Sequence, residues 1–524
     1  MIHGAMQPFS LTLDKFLDHA ARWSGSAKIV TARGDGQIEE SGYAALKARS
    51  GRASAILASL DVTRGDHVAT LAWNTQAHLE IWYAVMGMGA VCHTLNLRLT
   101  VDELTSMIDQ SGARVLIASV DQSGLADRIA ERAGHEVRVL TIDDPVDGRA
   151  LEPLIETTAK PLAWGGFDED APCGLCFTSG TTGAPKGVTY THRSNYLHTL
   201  SALGVDSLAI SRADTVLMAV PMFHANAWGL PFIAPAAGAS LVLPGRHLDG
   251  ASLRRLIRDH AVTVAAGVPT VWLGLLEHMD REGGGLPSLK RIVLGGAPTP
   301  PSLMARLQAR LGVIVQNTWG MTELSPVGTV ASTAVGDRQA VRSGRPAIGV
   351  DLMLADEQGH PLPDQRAAEG HLHVRGPAVI ERYFDQAQSA TNGEGWFATG
   401  DLARIDDDGE LRITGRAKEL IKSGGEWINP AQIEAIVNAL PEVAMAAVIA
   451  RADPKWGERP ILIVEMRDKD VGDETLLAAL KGKVASWWIP DAVIRLARMP
   501  VAGTGKIDKK RLRRDHAASA AQPV

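Results

Sequence analysis

The sequence predicts an α/β fold built on doubly wound mixed or parallel sheets, in a chain long enough for more than one domain. Three observations lead there. Short apolar strands at Val68 to Trp73, Val91 to Asn96 and Val115 to Ala118 alternate with helical stretches, the pattern of a parallel sheet. Later strands run into glycine-containing loops, as strands do when a ligand sits beyond their carboxyl ends. The chain has 524 residues and 45% hydrophobic content, enough to bury a large core.

In chain order, residues from Leu11 to Leu60 read as amphipathic helices with a polar hairpin near Gly34 to Gln37. Asn74 follows the first strand and leads into a helix from about Ala77 to Gly87. Thr100 caps a helix running to about Ile108, with Glu103 at the third position completing a capping box. The run from Asp121 to Lys160 is polar and weakly patterned. Cys173 to Phe177 is a further apolar strand, and Val216 to Val220 another. Ala265 to Thr270 and Ile292 to Pro298 are two strand-to-loop junctions containing glycine. Ile405 to Glu410 is a hairpin turn between alternating strands. Asn429 caps a helix with Pro430 at its first position; Ile433, Ile436, Val437 and Leu440 give it one apolar face. Ala446 to Ala450 and Pro460 to Glu465 read as strands. The basic run Lys509 to Arg514 reads as a solvated face.

Composition narrows the function. The net charge is −6, from 53 basic and 59 acidic residues, which argues against nucleic acid as a partner. The segment MIHGAMQPFS lacks the basic-then-apolar pattern of a signal peptide, and no apolar run is long enough to span a membrane. Three cysteines, Cys92, Cys173 and Cys176, fit a reducing cytoplasm. Cys173 and Cys176 lie within an apolar strand with no second pair nearby, so buried thiols are expected rather than a metal or redox site.

The densest chemistry is Thr178-Ser179-Gly180-Thr181-Thr182-Gly183-Ala184-Pro185-Lys186-Gly187. Small residues let backbone N–H groups approach an anion, and hydroxyls and Lys186 add donors and positive charge. That is a phosphate cradle. It differs from a Walker A loop, which needs Gly-Lys-Ser/Thr, because Lys186 lies between Pro185 and Gly187.

This stretch resembles the phosphate-binding loop of the adenylate-forming superfamily, and further matches run from Trp73 to Lys510. The resemblance is to AMP-dependent acyl-CoA synthetases, above all bacterial medium- and long-chain fatty acyl-CoA synthetases and methylthiopropionate-CoA ligases. Phe223-His224-x-x-x-Trp228, Lys422 to Trp427 and Asp453 to Glu458 carry that narrower likeness.

The resemblance implies a large N-terminal adenylation domain, residues 1–417, and a small mobile α+β C-terminal domain, residues 418–524, with the hinge at Lys418. It implies a reaction of acid with ATP to acyl-AMP and pyrophosphate, then attack by coenzyme A, with ATP, Mg²⁺ and CoA as cofactors or co-substrates. Thr178, Ser179, Gly180, Thr181, Thr182, Gly183 and Lys186 match the phosphate loop. Asn317-Thr318-Trp319-Gly320-Met321-Thr322-Glu323 matches a pattern whose aromatic packs on adenine, whose Thr meets phosphate and whose Glu holds Mg²⁺. Thr178 is implied as a second ligand, and Glu323 suits the role because Mg²⁺ prefers one or two carboxylates plus phosphate oxygens. Trp319 stands where Tyr is commoner; an indole keeps the stacking surface and loses the hydroxyl.

Asp401 and Arg416 match the ribose contacts, and Lys506, in a glycine-rich loop, matches the adenylating lysine. Lys422, Gly424, Gly425 and Trp427 match the loop that brings CoA to the site. His224 and Trp228 match an acyl-pocket wall and its gate; Gly295, Gly296, Ala297 and Pro298 match another wall. The implied acid is fatty or fatty-like. An aryl or methylthiopropionate-type acid, or an adenylating enzyme with a non-CoA acceptor, are the alternatives. A homodimer occurs among the members most resembled, and the implied setting is cytoplasmic.

Overall fold

The computed structural model describes residues 6–143, 148–178, 185–333, 340–366, 368–468, 470–502 and 506–516. Two large sheets form the body. In the nine-stranded sheet, Ile314–Gly320, Arg291–Leu294, Val264–Gly267, Thr215–Met218, Ser240–Leu243 and Lys28–Ala32 run parallel, in that spatial order. Antiparallel strands close both edges, so the sheet is mixed. The six-stranded sheet is parallel through Arg138–Ile142, Val115–Ser119, His67–Leu71, Val91–Thr94 and Pro172–Thr178, and ends on the antiparallel Lys186–Thr191. Strands buried on both faces read as continuous apolar runs, and Val115–Ser119 is buried at every position.

A four-stranded antiparallel sheet follows, Asp351–Ala355, Glu369–Arg375, Phe397–Ile405 and Leu411–Arg416. The last sheet holds Ile421–Ser423, Glu426–Ile428, Gly457–Met466 and Val443–Asp453, with Ala492–Leu496 parallel to Gly457–Met466. It has its own core on both faces. Ile433, Val437, Val448 and Leu462 pack on one side, and Ala447, Ile449, Ile461 and Leu512 on the other. Among the described residues no helix is long and apolar enough to cross a membrane.

Local signals place several elements as expected. Thr100 and Glu103 form the capping box of the helix Val101–Ser111. Asn429 Oδ1 accepts the Ala431 amide at the start of Pro430–Asn438, and Ile433 and Val437 are buried. All three cysteines are buried thiols.

Three readings change. The segment Leu11 to Leu60 holds two helices, Asp14–Trp23 and Tyr43–Ser59, but also the paired strands Lys28–Ala32 and Ile38–Gly42 on either side of the polar turn. The second is exposed on an edge, so it carries little apolar signal. The weakly patterned run contains the helices Ser123–Arg132 and Leu151–Thr157 and the edge strand Arg138–Ile142. The basic run forms the helix Lys509–His516; Lys510, Arg511 and Arg514 are exposed as expected, but Lys509 is turned inward.

Candidate active site

Four parallel strands of the large sheet deliver residues to one place beyond their carboxyl ends. Thr215–Met218 leads to His224 and Trp228, Val264–Gly267 to Val268, Arg291–Leu294 to Gly295 and Gly296, and Ile314–Gly320 to Trp319 and Glu323. This is where open α/β sheets bind ligands. The second sheet contributes Pro172–Thr178 and Lys186–Thr191, whose register sets Thr178 opposite Lys186. Ser179, Gly180, Thr181, Thr182 and Gly183 lie outside the described residues.

Lys186 holds its ammonium 4.6 Å from the centre of the Tyr383 ring, and the Tyr383 hydroxyl donates to Glu323 Oε1 at 2.9 Å. Glu323 lies in the short turn Thr322–Leu324, and Tyr190 holds that turn by donating to the Thr322 carbonyl at 2.9 Å. Burial pushes the Glu323 carboxyl above its ordinary pKa; its own backbone amide, Tyr383, Arg416 and Lys186 pull the other way. Tyr383 and Tyr190 were not marked by any sequence motif.

Asp401 and Arg416 are cross-strand partners in the four-stranded sheet, which explains their fifteen-residue separation across a hairpin. Arg416 Nε is 2.7 Å from Asp401 Oδ1. Trp319 Nε1 donates to the other oxygen, Oδ2, at 2.9 Å. Asp401 is 2% exposed. Burial raises its pKa, opposed first by Arg416 and then by the indole.

Lys506 arrives from the last sheet's side. The Val501–Ile507 bridge and the Ala502 amide on the Lys506 carbonyl, at 2.7 Å, hold the base of its loop. Burial pushes the ammonium pKa down, and Arg416 adds to this; Asp401, Glu419 and Glu323 oppose it. A Cβ placed on Gly296 would lie 3.4 Å from Val268 Cγ1, 3.8 Å from the Trp228 ring and 3.9 Å from Lys506 Cε. On Gly295 a Cβ would collide with Thr318 Oγ1 and come within 3.1 Å of Trp228. These two glycines therefore form a floor against which indole and ammonium approach the backbone.

Trp228 reaches that floor from an unusual backbone. Ala225, Asn226, Ala227 and Trp228 have φ of 45°, 52°, 46° and 57°, and Gly229 has 78°. A left-handed run costs about 1–2 kcal/mol for each non-glycine residue, so the surrounding packing must hold it. Trp228 is buried, at 7% exposure. His224 precedes the run; burial lowers its pKa to about 4, with Lys506 adding to the shift, so the ring is neutral at pH 7.

The other expected residues are placed less uniformly. Asn317 donates to the Ala340 and Arg342 carbonyls and accepts from Thr299, so its amide braces the loops around the floor. Thr318 donates to the Leu294 carbonyl. Ala297 is partly buried and Pro298 exposed on the same loop. Lys418 is exposed in the turn Ala417–Glu419. Lys422, Gly424, Gly425 and Trp427 make their contacts elsewhere, on an exposed hairpin where Lys422 stacks 5.5 Å over Trp427 and Gly424 meets Trp456. Among the described residues no three His, Cys, Asp or Glu side chains form a metal cluster.

Comparison with known proteins agrees with this geometry. A model of the AMP-binding enzyme family matches residues 16–384, and one of the AMP-binding enzyme C-terminal domain matches residues 432–506. A 3-methylmercaptopropionyl-CoA ligase of Ruegeria lacuscaerulensis is 40% identical, over 97% of this chain and 98% of its own. A medium-chain-fatty-acid–CoA ligase of Ectopseudomonas oleovorans is also 40% identical, over 97% of each. The crystal structure of ATP-bound MatB from Rhodopseudomonas palustris superposes with a TM-score of 0.84 at 25% identity, over 97% of this chain and 99% of that one.

Proposed function

The chain belongs to the AMP-binding enzyme family, and on that premise we propose that it is an AMP-forming acyl-CoA synthetase. A carboxylate is a poor electrophile, because its charge repels nucleophiles and oxide is a very poor leaving group. Attack by the acid on the α-phosphorus of ATP makes a mixed anhydride with AMP and releases pyrophosphate. The thiol of coenzyme A then attacks the anhydride carbonyl, and AMP leaves.

The first step brings anions together, so cations must meet the developing charge. The observation that carries the reading is the convergence of Lys506, Arg416 and Asp401 with the Gly295–Gly296 floor at the strand ends. Lys506 is assigned to the α-phosphate and the acid carboxylate. Lys186 is assigned to the leaving pyrophosphate, and Asp401 with Arg416 to the ribose hydroxyls. Trp319 both orients Asp401 and offers adenine its ring. Burial lowers the Lys506 pKa, Asp401, Glu419 and Glu323 oppose that shift, and the anionic phosphates and acid assigned to the site would favour the charged form further.

Mg²⁺ fits one buried carboxylate, Glu323, held by Tyr383 and destabilised by desolvation until a cation joins it. Glu323 and Thr178 would hold the ion, which when bound supplies charge neutralisation for the phosphates. The boundary between large and small domains is placed at Lys418, and the hairpin carrying Lys422, Gly424, Gly425 and Trp427 is assigned to CoA in the second step.

The acid is proposed to be aliphatic. Both relatives at 40% identity carry names of aliphatic-acid ligases, and the pocket side of the floor is walled by Val268 and Trp228. A panel of straight-chain, methylthio and aryl acids, read by pyrophosphate release with and without CoA, tests this. CoA-dependent AMP release with aliphatic acids is expected. Pyrophosphate release that never becomes CoA-dependent would move the acceptor elsewhere, and preference for aryl acids would overturn the acid class.

A further inference from the structure

Lys509 lies three residues past Lys506, in the first turn of the helix Lys509–His516. Its side chain is 17% exposed, and its ammonium lies 2.6 Å from Glu419 Oε2 and 2.8 Å from Glu434 Oε1. Each partner is tied to something else. Glu419 ends the turn Ala417–Glu419, directly after Arg416. Glu434 is on the helix Pro430–Asn438, and its Oε1 also accepts the Val448 amide at 2.7 Å on the outer edge of the last sheet. The helix that carries Lys509 sits on the opposite face of that sheet, where Leu512 packs among Ala447, Ile449 and Met499. One ammonium thus joins the connecting turn, a helix and a sheet edge to the base of the Lys506 loop.

Glu419 also acts on Lys506. Among the described residues, Arg416, Asp401, Glu419, Glu323 and His224, contributed by separate elements, act on the Lys506 ammonium or feel its charge. Without Lys509, the Glu419 carboxylate would lose the partner that most strongly stabilises its charge. It would then compete for Lys506 and draw it from the Gly296 floor toward the connecting turn.

We propose that Lys509 is a positioning residue for acyl-adenylate formation: by holding Glu419 and Glu434 together it fixes the connecting turn and keeps Lys506 directed at the acid and the α-phosphate. The proposal rests on Lys506 being the adenylating lysine. Among the described residues, the ion pairs of this clamp join Lys509 to Glu419 and to Glu434.

The full chain is compared with Lys509→Met, Lys509→Arg and the double variant Lys509→Met/Glu419→Gln. Two rates are measured separately: pyrophosphate release with a straight-chain fatty acid, and thioester formation from preformed acyl-AMP and CoA. Lys509→Met is expected to lower kcat of the first step by on the order of a hundredfold, as a misplacement of about 1 Å can. The KM for ATP and the second step should stay near wild type. Lys509→Arg should retain most of the first step, and the double variant should recover part of what Lys509→Met loses. Equal loss in both steps, no loss in the first, or no recovery in the double variant overturns the proposal. Hydrogen exchange across residues 498–508 gives a readout that needs no substrate, and Lys509→Met should speed it. If the wild type activates no acid, the proposed function fails, and unchanged exchange there still rejects the clamp.

Discussion

Trp319 offers both a ring face and an N–H. The ring sits at the end of a central strand, and its N–H donates to Asp401, the carboxylate assigned to ribose. From the sequence, Trp in place of Tyr looked like a lost hydroxyl; in the fold the indole nitrogen gives the site a donor. Trp319→Phe keeps an aromatic face and removes that donor. Hydrogen bonds to charged groups are worth about 1.5–3 kcal/mol, so the ATP dissociation constant should rise roughly ten- to hundredfold while the KM for the acid stays level. Calorimetric titration with ATP checks this, and unchanged ATP affinity would detach Asp401 from the ribose. Lys506 makes a complementary prediction. Lys506→Ala should reduce acyl-AMP formation by on the order of a hundredfold or more, as removal of preorganised charge stabilisers does. Thioester formation from preformed acyl-AMP should persist, and loss of both steps to the same degree would rule out that division of labour.

At the scale of elements, the left-handed run Ala225 to Gly229 is the strained part of the site. It sets Trp228 over Gly295 and Gly296, a position that an ordinary right-handed turn would not give. His198 supports the run from below, since a Cβ on Gly229 would lie 2.8 Å from its ring. Trp228→Ala should therefore change which acids are used. Each methylene a pocket gains or loses is worth about 1–3 kcal/mol of discrimination, so the kcat/KM ranking across a homologous series should shift toward longer or bulkier acids. The KM for ATP should hold. A variant that only melts earlier, by the roughly 3–5 kcal/mol that a buried Trp truncation costs, and keeps the wild-type acid ranking, would make Trp228 a packing residue.

At the scale of the whole molecule, buried neutral histidines set the acid limit. Burial lowers the pKa of His78 and His198 to about 4, and of His93 and His192 to about 3. The hydrogen bonds of His78, His192 and His198 need the neutral ring. His78 Nε2 accepts from Trp82, His192 Nδ1 from the Leu13 amide, and His198 Nε2 from the Val327 amide. The unfolded chain binds protons at these sites from its ordinary value of 6.5 downward, while the folded chain does not. Stability is thus fully present above pH 6.5 and is lost as pH falls toward the folded values. Each site costs about 1.4 kcal/mol per pH unit through that window, against a total stability of about 5–15 kcal/mol. Melting curves should show Tm nearly level above pH 7 and falling steeply from about pH 6 to pH 5. A Tm unchanged between pH 7 and pH 5 would contradict the assignment.

The sequence by itself determined the α/β class, because doubly buried strands leave continuous apolar runs and helices leave caps such as Thr100 with Glu103. It also pointed to the enzyme family, because the phosphate-loop pattern and the later motifs are short-range patterns that survive without coordinates, and the family matches agree. The edge strands Ile38–Gly42 and Arg138–Ile142 were illegible, since an edge has half the burial that makes a strand readable. Only tertiary structure decided the pairings: Trp319 with Asp401, Tyr383 with Glu323, Lys509 with Glu419 and Glu434. A basic run is a solvated face by local pattern. Lys509 is exempt because the helix Pro430–Asn438 and the connecting turn bring two carboxylates to it from 75 and 90 residues away. Long-range desolvation and charge pairing depend on which segments meet, and no local pattern encodes that meeting.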